Sequence, residues 1–264
     1  VSIAKLFLAG VIPGLMLGLL FSAYIVVWSL LRPGRIPAAD AGTALRHKLY
    51  ASRHLIPVVL LIALVLGGIY SGIATATEAA ALGVAGSLLL SLLDGTLNWQ
   101  TFRDGLIAGC RVYCMIGLIL AGAAFLTLAM GFIGLPRQVA EFIGALQLTP
   151  FALLLLLTVF FIALGCFLDG ISMVVLTIAV LLPTVQAAGF DLIWFGIFIV
   201  LVVEMAQITP PVGFNLFVLK GLTQREVTWI ARATLPLFVL MMAAVLLTYV
   251  VPGVALWLPS QMQG

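Results

Sequence analysis

The chain has 264 residues, of which 64% are hydrophobic and 8% are charged. A soluble domain usually has about 25% charged residues, so this composition argues against a soluble enzyme, a nucleic-acid-binding domain or a disulfide-rich scaffold. The formal net charge of +3, from 12 basic and 9 acidic side chains, is spread along the chain. We therefore expect an all-α, polytopic membrane protein that contacts the lipid bilayer and binds no nucleic acid.

The first apolar run is long enough to cross a bilayer and predicts a transmembrane helix over residues 1–31. A basic segment over residues 32–54 follows, with Arg and Lys side chains opposed by the single acid Asp40. Because cytoplasmic loops carry an excess of Lys and Arg, this segment is predicted to be a cytoplasmic loop.

Residues 55–148 contain three apolar runs, at 55–70, 75–93 and 107–132, and one amphipathic segment at 135–148. The amphipathic segment is too polar and too short to span a membrane, and its apolar side chains recur every three to four residues. It therefore predicts a helix that lies in the membrane interface. Thr75 and Glu78 fit a capping box, so we interpret Glu78 as stabilising the start of a helix.

Two apolar runs, 150–168 and 170–188, are joined at Asp169 and predict a helical hairpin. Asp169 is followed by Gly170 and Ser172, a pattern that suits a hairpin tip and the N-cap of the returning helix. Asp169 could equally lie in or beside a binding site, because burying a charged carboxylate at membrane depth costs free energy unless it has a function or a partner there.

The next apolar run, 190–220, is interrupted by the segment 209–213 (TPPVG). Proline has no N–H to donate, so the helix cannot continue intact through Pro210 and Pro211. Free carbonyls at the end of the first half-helix, together with the Thr209 hydroxyl, suit a small cation such as sodium. The start of the second half-helix favours an anion, and a simple proline kink is the alternative. Residues 222–264 then form an amphipathic linker and the last transmembrane helix.

These segments resemble the large membrane subunit of tripartite ATP-independent periplasmic (TRAP) transporters. The matching motifs lie in the family's order along nearly the whole chain, at residues 6–14, 67–72, 77–81, 167–170, 181–183, 189–196 and 208–218 (ITPPVGFNLFV). The resemblance implies an inverted-repeat, elevator-type fold, in which this chain supplies the end of the first repeat and then the second. Residues 55–148 would hold scaffold-type helices and the interfacial amphipathic helix, and residues 149–221 the transport-domain re-entrant hairpin and discontinuous helix. The chain is then expected to be a portion of a longer subunit.

The resemblance also implies a function in the bacterial inner membrane. Sodium would drive the uptake of an organic acid, such as a C4-dicarboxylate or sialic acid, delivered by a periplasmic substrate-binding protein. A small membrane subunit would brace the scaffold. The implied sodium ligands are the carbonyls of Gly165, Ala206 and Val212 with the Thr209 side chain. The implied neighbours of the substrate are Asp169, Ser172 and Asn215.

Other functions stay open at this point. A sodium/carboxylate symporter of related hairpin architecture would take its substrate directly from solution, without a binding protein. An ion channel would need a filter loop, and an intramembrane enzyme would need a catalytic constellation, and the sequence offers neither. We therefore expect no enzymatic activity and no organic cofactor, and a purely structural subunit is the remaining alternative.

Overall fold

A computed structural model of the chain describes residues 2–35, 52–211 and 213–261. Within these residues the regular structure is helical and no strand is present, which confirms the prediction of an all-α protein. Most of the predicted basic loop, and Val212 of the predicted sodium site, lie outside the described residues.

The described α-helices are numbered in chain order. They are α1 Ile3–Ala9, α2 Val11–Leu31, α3 Ile56–Tyr70, α4 Ala76–Leu93, α5 Trp99–Ile133, α6 Leu135–Ala145, α7 Pro150–Gly165, α8 Gly170–Ala187, α9 Leu192–Gln207, α10 Phe214–Thr223, α11 Val227–Val250 and α12 Gly253–Ser260. Short 3-10 helices lie at Pro33–Arg35 and Ser52–Leu55.

Five helical segments of the described chain are long and apolar enough to cross a membrane. They are Ile3–Leu31, which joins α1 and α2, and the helices α4, α5, α8 and α11. The apolar helices α7 and α9 have 16 residues each. At 1.5 Å per residue each extends about 24 Å, which is shorter than the roughly 30 Å hydrocarbon core of a bilayer.

One compact unit contains Ala23–Val112, with α3 and α4 packed against each other. The predicted capping box at the start of α4 is confirmed. The Glu78 carboxylate accepts hydrogen bonds from the Thr75 N–H (2.8 Å) and hydroxyl (2.7 Å), and the Glu78 N–H donates to Thr75 Oγ1 (3.3 Å). Glu78 therefore has the structural role that the sequence indicates.

The other unit contains Lys5–Ser22 and Tyr113–Gly264, and α9 lies at its centre. Helices α7, α8, α11 and α12 all pack against α9, and α6 packs against α8. Asp191 caps the start of α9 by accepting hydrogen bonds from two backbone N–H groups. The buried indole of Trp194 donates to the carbonyl of Thr248 (2.9 Å), which ties α9 to α11.

Two helices are longer than the sequence pattern predicts. Helix α5 begins at Trp99 because Asn98 and Thr101 exchange side-chain-to-backbone hydrogen bonds of 2.8 and 2.9 Å at its start. Helix α11 includes the amphipathic residues after Glu226, so these residues form its first turns rather than a separate linker. It ends at Val250, and the remaining apolar residues form the short α12.

Candidate functional site

The interruption between α9 and α10 lies where the two prolines predict it. In an unbroken helix the carbonyls of Ala206 and Gln207 would accept from residues 210 and 211, but both of these are proline and have no N–H. The Ala206 carbonyl instead accepts from the Thr209 N–H (3.1 Å). The Met205 carbonyl accepts from the Thr209 hydroxyl (2.9 Å). The last turn of α9 therefore closes on Thr209.

The Thr209 side chain is partly buried and oriented by its own helix. Because its hydroxyl proton is donated to the Met205 carbonyl, the oxygen lone pairs stay available to accept a hydrogen bond or to coordinate a cation. Thr209 is thus suited to the role of a cation ligand.

Gly213 brings two carbonyl oxygens close together. It is buried and has a φ of +38°, in the left-handed region that favours glycine. A Cβ atom at Gly213 would lie 2.7 Å from the backbone carbonyl oxygen of Thr209 and 3.0 Å from that of Gln207. The absence of a side chain therefore allows the Gly213 backbone to pack closely against two carbonyl oxygens, and carbonyl oxygens are donors that a hard cation prefers.

The hairpin formed by α7 and α8 contacts this interruption at its tip. Gly165, the last residue of α7, is buried directly against Ala206, and a Cβ atom at Gly165 would overlap the Ala206 methyl group. Cys166 donates its S–H to the Pro210 carbonyl (3.2 Å). At the start of α8, a Cβ atom at Gly170 would lie 2.5 Å from the side-chain nitrogen Nε2 of Gln207. The structure thus brings Gly165, Ala206 and Thr209 together.

Asp169 is the N-cap of α8. Its carboxylate accepts from the N–H groups of Ile171 (3.1 Å) and Ser172 (3.2 Å), and also from the Ser172 hydroxyl. Two of the three predicted substrate neighbours, Asp169 and Ser172, are therefore hydrogen-bonded to each other at the hairpin tip. Both are partly exposed there.

Asn215, the third predicted substrate neighbour, lies in the first turn of α10. Asn215 lines a cavity together with Glu204 of α9 and Thr234 of α11. The acidic Glu204 in this lining disfavours an anion in the cavity. The start of α10 itself has Gly213 as N-cap and no side-chain cap, so its first N–H groups suit an anionic ligand.

Sequence reasoning missed two residues that join the hairpin to the interruption. Gln207 belongs to none of the predicted sites, yet its side-chain amide lies against Gly170. Cys166 is likewise absent from the predicted sites, yet its S–H can donate to the Pro210 carbonyl (3.2 Å). A local signal existed for Gln207 alone, since it is a polar side chain near the end of an apolar run.

The chain is similar to known proteins along nearly its whole length. A family model described as "Tripartite ATP-independent periplasmic transporter, DctM component" matches residues 1–254. The chain is 32% identical to the C4-dicarboxylate TRAP transporter large permease protein DctM of Pseudomonas aeruginosa, over 98% of this chain and 60% of that protein.

Two further relatives carry other substrate names. The isethionate TRAP transporter permease protein DctMQ of Oleidesulfovibrio alaskensis is 31% identical, over 97% of this chain and 40% of that protein. The sialic acid TRAP transporter large permease protein SiaM of Vibrio cholerae is 28% identical, over 100% of this chain and 61% of that protein. The chain thus spans 40% to 61% of the length of these three relatives.

Proposed function

Because this chain belongs to the DctM component family of tripartite ATP-independent periplasmic transporters, we propose that it forms the second repeat of a sodium-coupled permease for an organic acid. The chain is a multi-pass protein of the bacterial inner membrane, and its family is one of transporters rather than enzymes. The observation that carries the proposal is the contact between the hairpin tip and the interrupted helix, in a chain that matches this family over residues 1–254.

Sodium is the proposed coupling ion. The Thr209 hydroxyl keeps its lone pairs free, and the turn that contains Thr209 is packed closely against Gly213. We assign the site to the carbonyls of Gly165 and Ala206 and the Thr209 side chain, with Val212, outside the described residues, as the fourth predicted member. A bound ion supplies positive charge at the end of α9, where the helix dipole is negative.

The substrate is proposed to be an organic acid bound beside the hairpin tip. The uncapped start of α10 presents backbone N–H groups, including that of Asn215, which favour a carboxylate or sulfonate. Asp169 and Ser172 position the start of α8 on the other side of the interruption through their mutual bond. The relatives are named for C4-dicarboxylate, isethionate and sialic acid, so we propose a substrate of this acidic class.

The hairpin and the interrupted helix are proposed to move together as part of an elevator-type transport domain. Contacts from Gly165 to Ala206, from Gly170 to Gln207 and from Cys166 to Pro210 join the two elements. Helix α7 extends only about 24 Å, whereas α8 is long enough to cross a membrane. The short α7 arm supports the proposal that the hairpin re-enters the membrane from one side.

Two protein partners are part of the proposal. The family description names a tripartite and periplasmic system, so we propose a periplasmic substrate-binding protein and a small membrane subunit as partners. A symporter that takes its substrate directly from solution is the competing function.

Uptake into proteoliposomes tests the function. The full-length subunit and its small partner would be reconstituted, and uptake of a radiolabelled dicarboxylate, isethionate and sialic acid measured with and without the binding protein and an inward sodium gradient. We expect uptake of one acid to need both additions. Uptake that needs the sodium gradient but not the binding protein would favour the direct symporter. Uptake that is independent of sodium would contradict sodium coupling.

The sodium site is tested by Thr209→Val. We expect the sodium concentration for half-maximal uptake to rise about tenfold, the effect of losing roughly 1.4 kcal/mol of binding free energy, because the hydroxyl oxygen is lost. The matched control is Thr177→Val, which removes a hydroxyl with the same bond to the carbonyl four residues earlier (Met173, 2.8 Å). An unchanged sodium titration in Thr209→Val would remove Thr209 from the site.

A further inference from the structure

Glu204 is an acidic side chain in one of the most apolar helices of the chain. Its neighbours on α9, Val203 and Met205, are buried, whereas Glu204 is exposed and lines a cavity of about 390 Å³. In the part of the chain that the structure describes, its carboxylate has neither a hydrogen bond nor an ion pair. Because unpaired charges inside membrane helices are rare and usually functional, Glu204 requires a partner.

Polar residues of three helices line the cavity. Besides Glu204 of α9 they are Asn215 of α10, which has a side-chain amide, and Thr234 of α11, whose hydroxyl proton is donated to the Ala231 carbonyl (3.2 Å). The oxygen of Thr234 is therefore free to act as an acceptor. The other lining residues are apolar and are Phe21, Ile208, Val218, Leu219, Leu237 and Met241.

No basic side chain among the described residues that line this cavity balances the negative charge of Glu204. Among the described residues that line it, Glu204 is the one titratable or charged group. An organic anion would be repelled there, whereas a carboxylate, an amide oxygen and a hydroxyl together are the ligand types that a hard cation prefers.

We propose that Glu204, Asn215 and Thr234 form a binding site for a small monovalent cation. Its ligands are the side chains of three residues that line one cavity, whereas the site proposed at the interruption consists mainly of backbone carbonyls. A cation there would neutralise Glu204 within the apolar part of α9. The Asn215 side chain then serves this cation, while its backbone N–H stays at the start of α10.

The test uses dicyclohexylcarbodiimide, which modifies carboxyl groups in apolar surroundings. The full-length protein in liposomes would be labelled at one fixed pH in sodium chloride or in choline chloride of equal concentration, and the modified residues identified by mass spectrometry. We expect Glu204 to be labelled in choline and protected by sodium. The exposed Glu141, which is paired with Arg137 on α6 (2.7 Å), serves as a negative control that should stay unlabelled in both salts.

Substitutions at the other two proposed ligands test whether sodium protects Glu204 by binding in this cavity. We expect Asn215→Ala and Thr234→Val each to raise the sodium concentration for half-protection by about tenfold, since each removes one oxygen ligand. The matched control is Thr223→Val, whose hydroxyl is bonded to the Leu219 carbonyl (2.7 Å) on an exposed part of α10. It should leave the protection unchanged.

Two results would overturn the site. Equal labelling of Glu204 in sodium and in choline would mean that the carboxylate holds at most a proton. No labelling of Glu204 in either salt would mean that another part of the full-length protein already pairs with it. Since labelling requires no uptake, either result is independent of the proposed transport function.

Discussion

Replacing Gly165 with alanine should reduce sodium-driven uptake by about tenfold or more and lower the unfolding temperature of the protein. The added Cβ atom would overlap the Ala206 methyl group and lie 3.2 Å from the Ala206 Cα atom and carbonyl carbon. Both residues are buried, so the clash must be relieved by moving backbone. Overpacking of this kind costs about 1–3 kcal/mol, which exceeds the gain of up to about 1 kcal/mol in helix propensity.

A compensating change distinguishes this contact from a general effect at the end of α7. In the double variant with Gly165→Ala and Ala206→Gly, one methyl group has moved across the contact, so we expect most of the stability and uptake to return. Such non-additivity is the signature of two residues in direct contact. The control is Gly117→Ala in α5, where a Cβ atom meets open space. Failure of Ala206→Gly to rescue Gly165→Ala would contradict the contact.

Local sequence signals were sufficient for the elements that depend on local chemistry. The capping box at Thr75 and Glu78, the N-cap at Asp169 and the end of α9 before Pro210 all follow from residues within a few positions of each other. The length of each apolar run likewise predicted the long helices, because it too is read from one continuous segment. These features require no knowledge of which helix packs against which.

The contacts of the candidate site depend on tertiary packing, and the sequence alone could not provide them. Cys166 and Pro210 are 44 positions apart, and the Gly170–Gln207 contact joins segments of similar separation. Glycine is common in apolar helices, so nothing local distinguishes Gly165, which packs against Ala206, from Gly117, where an added Cβ atom would meet nothing within 4 Å. The family resemblance identified the segments, and the fold identified their contacts.

Local reasoning also failed where one local signal outweighed another. The third apolar run of residues 55–148 predicted a helix from residue 107, after the charged Arg103 and Asp104, but the reciprocal hydrogen bonds of Asn98 and Thr101 start α5 before them. Long side chains at the end of a helix can reach the membrane interface, so charge there need not end the helix.

The second large effect is expected for Gly213→Ala. Alanine at a φ of +38° is strained, at a cost of about 1–2 kcal/mol. Its Cβ atom would also displace the oxygens of Thr209 and Gln207, which lie 2.7 and 3.0 Å from the ideal Cβ position. Because the proposed sodium ligands lie in this turn, we expect the sodium concentration for half-maximal uptake to rise by more than tenfold, as well as a loss of stability.

Gly189 provides the matched control for that prediction. It also has a left-handed φ, of +77°, but a Cβ atom there meets nothing within 4 Å. Gly189→Ala therefore introduces the backbone strain without displacing any carbonyl oxygen. Both variants should lose some stability, but Gly213→Ala alone should weaken the sodium dependence of uptake. If the two variants shifted the sodium titration equally, backbone strain would account for the effect, and the close packing of the turn around Gly213 would have no part in binding the ion.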